Sequence, residues 1–267
     1  MRTGDVSEAE TLATQYDEAH SRLWRERVEH LLEHDSPGCW VAEDTDGIVG
    51  VATSLRRETL WALSSFCVRP DVQGRGIGTA LLEGVLTHSQ GCVRGMVSSS
   101  SDPRALRRYH GAGFVLYPTM TVSGTVDRSV LPVVEYVRPG TAGDTDLLES
   151  VDRLTRGAGH GVDHPFLASR YGLLVSESHL GSGYCYVFAT GGVYLLAASG
   201  RRVAQQLVWE AMARSESGSF TVAGFTAEQD WLVDVAMTAR LDLDRYHFLA
   251  LRFMKPPTAY VASPHFL

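Results

Sequence analysis

The chain has 267 residues, enough for one large domain or two of ordinary size, and its 44% hydrophobic content supports a full core without covalent staples. A net charge of −7 with no basic block argues against nucleic acid as a partner. Cys39, Cys67, Cys92 and Cys185 lack paired spacing, no apolar run reaches about 18 residues and no cleavable apolar leader opens the chain, so the expectation is a soluble cytoplasmic protein with reduced thiols and no membrane partner.

Residues 7–33 set Leu12, Tyr16, Ala19, Leu23, Val28 and Leu31 among charges, a helical pattern whose phase shifts near Trp24. Only Met1-Arg2-Thr3 precedes it, so an opening strand is short or missing. Ser36-Pro37-Gly38 ends the helix. Residues 39–43 and 48–55 flank Asp44-Thr45-Asp46-Gly47, whose Asp-Gly pair predicts a hairpin. Residues 60–68 predict a strand that runs into a proline and a glycine-rich turn. Ile77, Ala80, Leu81, Gly84, Val85 and His88 then recur at helical spacing. A strand over 93–98, a helix carrying Tyr109 and two closing strands at 114–117 and 120–123 follow.

More than half of the chain remains after residue 124, and it echoes the first half. A strand over 133–137 leads to Arg138-Pro139-Gly140-Thr141-Ala142-Gly143-Asp144 and a helix through Leu147, Leu148 and Leu154, like Arg2-Thr3-Gly4-Asp5 and its helix. Residues 184–190 and 193–198 predict a hairpin about Gly191-Gly192. A helix over 199–214, a strand over 219–224, a helix over 227–239 and a strand over 248–254 complete the pattern. We read an internal duplication, with copies at 1–129 and 130–267.

The turn after the 60–68 strand carries the chemistry. In Val68-Arg69-Pro70-Asp71-Val72-Gln73-Gly74-Arg75-Gly76-Ile77-Gly78-Thr79 the glycines expose backbone amides at a helix start, where unpartnered N–H groups and the positive end of the helix dipole suit an anion. A P-loop would need Lys and then Ser or Thr after the last glycine, and Thr79-Ala80 stands there. A dinucleotide fingerprint would need a third glycine where Thr79 lies and a carboxylate about 20 residues on, and neither is present. Downstream, Asp102-Pro103-Arg104-Ala105-Leu106-Arg107-Arg108-Tyr109-His110-Gly111-Ala112-Gly113-Phe114 supplies a second motif, a helix ended by Tyr-x-x-x-Gly-Phe.

Gln73-x-x-Gly76-x-Gly78 after a strand, with Tyr109-x-x-x-Gly113-Phe114 one strand and one helix later, resembles the GNAT superfamily of acyl-CoA N-acyltransferases. The resemblance covers the first copy. It implies an α/β fold with a mixed sheet, here as two such domains in tandem, and acetyl-CoA as cosubstrate. It places the coenzyme-A pyrophosphate on Gln73, Gly74, Arg75, Gly76, Ile77, Gly78 and Thr79, and the pantetheine arm along Phe66, Cys67 and Val68, where a strand N–H faces the oxyanion. Tyr109 holds the position of the acid that protonates the departing thiolate. The resemblance implies that the acceptor is a primary amine of a small molecule or peptide, attacking directly in a ternary complex.

The sequence departs from the family pattern where a base is needed to deprotonate the amine. Residues 60–68 hold no carboxylate. Glu58 lies just before them, and Ser64 or Ser65 could hold a water leading to Glu58 or His110. Cys67 has no histidine near it in sequence and reads as a small core residue. The second copy has one glycine and two cations in Ala198-Ser199-Gly200-Arg201-Arg202, and no Tyr-x-x-x-Gly-Phe, so its expected role is structural: covering a sheet edge, shaping the acceptor pocket, or pairing two chains as a homodimer. His160-Gly161-Val162-Asp163-His164 has metal-ligand residue types, but the glycines and Pro165 suggest a loop with no third ligand, and no metal is expected. A non-catalytic acetyl-CoA-binding sensor or scaffold subunit stays open beside the enzyme reading.

Overall fold

The computed structural model describes residues 2–3 and 18–267. The chain divides into two compact units, Met1–Val97 and Ser98–Leu267. In the first, β1 (Arg2–Thr3), β2 (Cys39–Asp44), β3 (Gly47–Arg57), β4 (Leu60–Val68) and β5 (Arg94–Ser99) are hydrogen bonded in that order. Neighbours are antiparallel except β4 and β5, which are parallel, so the sheet is mixed. The short opening strand is therefore present, with Arg2 opposite Val41 and Thr3 opposite Trp40.

Two helices accompany this sheet. Helix α1 (Glu18–Asp35) buries Trp24, Val28 and Leu31, which recur on one face, and leaves Arg22 and Leu23 exposed. The beginning of the expected helix, with Leu12 and Tyr16, lies outside the described residues. At the end of α1, Asp35 accepts from Arg57 Nη1 and from the Arg56 backbone N–H, both at 2.8 Å, so the carboxylate is buried with its counter-ion. Helix α2 (Ile77–Thr87) buries Leu81, Leu82 and Val85.

The second unit carries α3 (Pro103–Gly111), β6 (Val115–Thr125), β7 (Val137–Pro139), α4 (Thr145–Thr155), α5 (Asp163–Ala168), β8 (Gly172–Ser178), β9 (Gly181–Val187), β10 (Val193–Ala198), α6 (Arg201–Ala213), β11 (Ser219–Phe225), α7 (Asp230–Thr238), β12 (Asp242–Arg252) and β13 (Tyr260–Val261). Its sheet runs β12-β6-β11-β10-β9-β8-β7, with β13 added on β10. Leu207, Val208 and Met212 of α6 pack with Phe220, Val222, Trp231 and Leu232 in its core.

Several expected elements shift. The two closing strands are one, β6, which continues through Pro118; the proline sits where β12 slips register between Arg245 and Phe248, so the lost donor falls at an irregular part of the ladder. The strand expected over 133–137 is only Val137–Pro139: Val133 is exposed, and Tyr136 has φ +64°, which interrupts an extended run. Strand β6 pairs with β12 on one side and β11 on the other. Those ladders assign residues 98–129 to the second unit by contact, although their sequence motif belongs with the first copy.

Candidate active site

Strand β4 changes character halfway along. Leu60, Trp61, Ala62 and Leu63 pair with Arg94, Gly95, Met96 and Val97, and there the β4–β5 ladder stops. On the other side, β3 pairs Thr53 with Ser65 and Ser54 with Leu63, so Ser64 is an extra residue in β4. Such a bulge bends and twists its strand. The remaining residues, Phe66, Cys67 and Val68, still pair with Ala52, Val51 and Gly50, but their burial drops from complete to partial. Beyond the bulge β4 keeps its pairing with β3 but no longer pairs with β5.

The glycine turn follows directly. Pro70–Val72 forms a single 3-10 turn, and the Gln73 side-chain amide donates to the Val68 carbonyl at 2.8 Å, tying the turn to the strand end. Gly74 and Gly76 have φ of +85° and +87°, and a Cβ at either would meet nothing within 4 Å, so both face open space in a conformation that L side chains resist. Gly76 is the N-cap of α2 with no side-chain cap. The first helical bonds are made by Thr79 and Ala80 N–H to the Gly76 carbonyl, at 3.0 and 3.1 Å, so the N–H groups of Ile77 and Gly78 lie ahead of the helical ladder. Gly78, by contrast, is buried within the first turn. Arg75 and Thr79 are exposed beside the turn.

The expected residues thus fall in three adjoining pieces of the first unit: the diverging strand with Phe66, Cys67 and Val68, the tie at Gln73, and the amide-bearing turn from Gly74 to Thr79. Together they present donors to an elongated anionic ligand with no side chain over them at Gly74 or Gly76. Cys67 is not poised as a nucleophile, because burial pushes its thiol pKa up. Glu58 is corrected by strand geometry. It stands in the turn before Leu60, and at about 3.3 Å per residue the run from Glu58 to Ser65 spans roughly 20 Å, beyond one relaying water.

Tyr109 belongs to the second unit. Asp102 caps α3, its Oδ1 accepting from Arg104 N–H at 2.8 Å, with Pro103 in the first turn. The helix ends with Gly113 at φ +85° and with Phe114 N–H donating to the Tyr109 carbonyl at 3.0 Å. Phe114 is buried, with the Arg252 guanidinium 5.1 Å from its ring centre. Tyr109 itself is 3% exposed, and burial, the largest influence, drives its pKa well above the ordinary phenol value. Its hydroxyl is a proton donor throughout the neutral range.

The second unit also joins groups that sequence spacing did not. His160 and His164 meet Asp152, from α4, rather than the intervening Asp163. Asp152 Oδ2 lies 2.7 Å from His160 Nδ1 and 3.0 Å from His164 Nε2, and Tyr184 Oη donates to Oδ1 at 2.5 Å. The missing third ligand was eight residues upstream of His160 on a helix, and Pro165 occupies the first turn of α5, where it removes no helical bond. The three ligand atoms lie within 4.8 Å of one another, a set that could hold a metal ion. Proton accounting opposes that use. Arg156 Nη1 is 2.7 Å from His160 Nε2 and can only donate, so Nε2 accepts and the ring proton sits on Nδ1, facing Asp152. A metal on Nδ1 would move that proton against the guanidinium.

Residues 4–123 match a family model described as an acetyltransferase (GNAT) domain. No curated protein matches the chain in sequence. Among solved structures, a Pyrococcus horikoshii protein proposed to be an acetyltransferase is 16% identical, with a TM-score of 0.73 over 92% of this chain and 85% of that one. A GCN5-related N-acetyltransferase from Anabaena variabilis is 12% identical, with a TM-score of 0.62 over 93% of this chain and 70% of that one. A further GCN5-related N-acetyltransferase, from Kribbella flavida, is 15% identical, with a TM-score of 0.58 over 94% and 70%. The chain therefore shares its mixed α/β fold with GCN5-related N-acetyltransferases. No helix among the described residues is long and apolar enough to cross a membrane.

Proposed function

We propose that the chain transfers acetyl from acetyl-CoA to a primary amine of a small molecule or peptide, by direct attack in a ternary complex. The observation that carries this reading is the bulge at Ser64, where β4 parts from β5 immediately before a turn with two left-handed, uncovered glycines at a helix start. A strand edge followed by a nest of amides suits a pantetheine arm followed by a pyrophosphate. The match of residues 4–123 and the shared fold support acyl transfer in general.

In this reading, backbone N–H groups from Gly74 to Thr79 hold the pyrophosphate, with Gln73 fixing the turn and Arg75 adding charge at its rim. Phe66, Cys67 and Val68 offer backbone partners to the pantetheine amides, and one strand N–H stabilises the oxyanion, a contribution of about 3 kcal/mol in comparable sites. The cosubstrate supplies an activated thioester. Tyr109 holds the motif position of the acid for the departing thiolate, and burial keeps its hydroxyl protonated. A water held by Ser64 or Ser65 takes the amine proton toward solvent.

We further propose that residues 130–267 form a second, degenerate copy. Strand β10 runs parallel to β11, as β4 does to β5, but they pair only at Val193 and Val222. Beyond that point β13 occupies the edge, with Leu196 opposite Val261 and Ala197 opposite Tyr260, and the Ala198 N–H donates to the Ala259 carbonyl at 2.9 Å. Gly200 is extended rather than left-handed, and Arg201 pairs with Asp230.

The absence of a carboxylate on β4, with Glu58 at its far end, favours a second reading in which the chain binds acetyl-CoA without turnover. Calorimetry with acetyl-CoA, followed by thiol release over a panel of amines, separates the two. Binding with turnover supports the enzyme; binding without turnover on any amine leaves the sensor or scaffold; failure to bind acetyl-CoA sinks both.

A further inference from the structure

We infer that the second unit holds a binding site for an uncharged, single-ring aromatic molecule, independent of the acetyl-transfer reading. The site is a pocket of about 210 Å³ whose lining includes Phe188, Tyr194, Thr221, Ala223 and Tyr246. Its origin lies in the backbone. Strands β10 and β11 separate after Val193 and Val222, and β11 slips register against β6 between Ala223 and Phe225, around Gly224 at φ +83°.

The aromatic walls are held in place from behind. Tyr194 stacks on Tyr171 with ring centres 4.0 Å apart and planes 14° from parallel, and Phe188 meets both edge-on, 5.6 Å from each. Offset stacking and edge contacts of this kind orient rings and stiffen them. Phe188 and Tyr246 nevertheless remain 39% and 42% exposed, so apolar ring surface faces water at the pocket. A ligand that covers those rings removes this surface from solvent and adds edge-to-face contacts.

The lining also limits the ligand. No lining residue named here is charged, so neither a carboxylate nor an ammonium finds a counter-ion there, while the Thr221 hydroxyl can hydrogen bond one polar substituent. The volume lies below the roughly 300–1,000 Å³ of sites for drug-sized molecules, which points to one ring. A phenol or an aryl alcohol meets these requirements.

The test uses the full chain with p-cresol as the probe, and benzylammonium and benzoate as charged comparisons, read by saturation-transfer NMR and calorimetry. We expect p-cresol to bind at least tenfold more tightly than either ion. Ala223→Leu, which adds bulk to the lining, should weaken it at least tenfold, and Tyr246→Ala, an exposed position that folding tolerates, severalfold. Acetyl-CoA binding is measured on each protein and should not change. Absence of p-cresol binding to the unaltered chain, equal binding of all three probes, or unchanged affinity in both variants overturns the site. A failure of acetyl-CoA to bind while p-cresol binds leaves the site standing and removes only the acetyl-transfer reading.

Discussion

Arg156 and His160 are joined by a 2.7 Å contact between Nη1 and Nε2, and through it a fully buried guanidinium decides where the imidazole keeps its proton. Arg156 also donates from Nε to the Ala158 carbonyl at 2.9 Å and from Nη1 to the carbonyls of Phe266 and Leu267. Burial pushes the His160 pKa down to about 4, with the Arg156 charge adding to the effect, so the ring is neutral and donates to an ionised Asp152. The cation and the anion are thereby linked through one oriented ring, with Tyr184 completing the shell of Asp152. Replacing Arg156 with Met leaves Asp152 buried without its cation and the carbonyls of Ala158, Gly159, Phe266 and Leu267 without that donor. We expect a loss of about 3–5 kcal/mol in urea unfolding, the usual cost of breaking a buried pair from one side.

The same network gives a pH dependence. His160 has an ordinary pKa near 6.5 in the unfolded chain and about 4 when folded, so below pH 6.5 the unfolded state binds the extra proton. Its contribution is whole above about pH 6.5 and falls away as pH drops toward 4. The unfolding midpoint of the natural chain should fall across that window more steeply than that of His160→Gln, measured in parallel. Parallel slopes would remove His160 as the titrating group.

The glycine turn makes a separable prediction. Gly76→Val places a Cβ in the cradle and demands φ near +87° from a branched residue, so acetyl-CoA affinity should fall at least tenfold, about 1.4 kcal/mol. Gly47→Val is the control. Gly47 has φ +113° and open space around its Cβ position, but it lies in the hairpin between β2 and β3, so it carries similar strain and should leave affinity unchanged. Equal losses in both would mean that strain, not the cradle, was measured.

Tyr109→Phe removes only the hydroxyl from a buried ring. As the acid it should lower kcat by about 100-fold or more while leaving acetyl-CoA affinity within a factor of two. Because burial raises the tyrosine pKa, the pH-rate profile of the natural chain should show no alkaline limb from this group below about pH 10. A full rate in the variant would remove Tyr109 as the acid and leave the cradle intact.

These residues also show what a sequence can and cannot disclose. Strand β4 matched its expected bounds because Leu60–Val68 is a short apolar run with a proline stop, and the turn was readable because left-handed backbone at Gly74 and Gly76 selects glycine. The bulge at Ser64 left no such mark, since its register is set by a partner strand. Asp152 was missed because its partners lie 8 and 12 residues away across a helix and a loop, whereas Asp163 was adjacent in sequence. Strand β13 has two residues, too few to carry any periodicity, and exists because the β10 edge is there to receive it.

That last strand yields a prediction about stoichiometry. If residues 130–267 descend from a second acetyl-CoA-binding copy, the position where β4 parts from β5 corresponds on β10 to one taken by β13, with Val261 and Tyr260 opposite Leu196 and Ala197. A pantetheine arm could pair there only by displacing β13, whose Tyr260 and Val261 are both buried and would then be exposed to water. The Gly200 turn adds no left-handed amide nest to offset that cost. Calorimetry should therefore return one acetyl-CoA per chain, and Gly76→Val should reduce the binding heat of that single site with no residual tight component. A second equivalent that persists in Gly76→Val would show that the C-terminal copy binds the cosubstrate and that β13 yields to it.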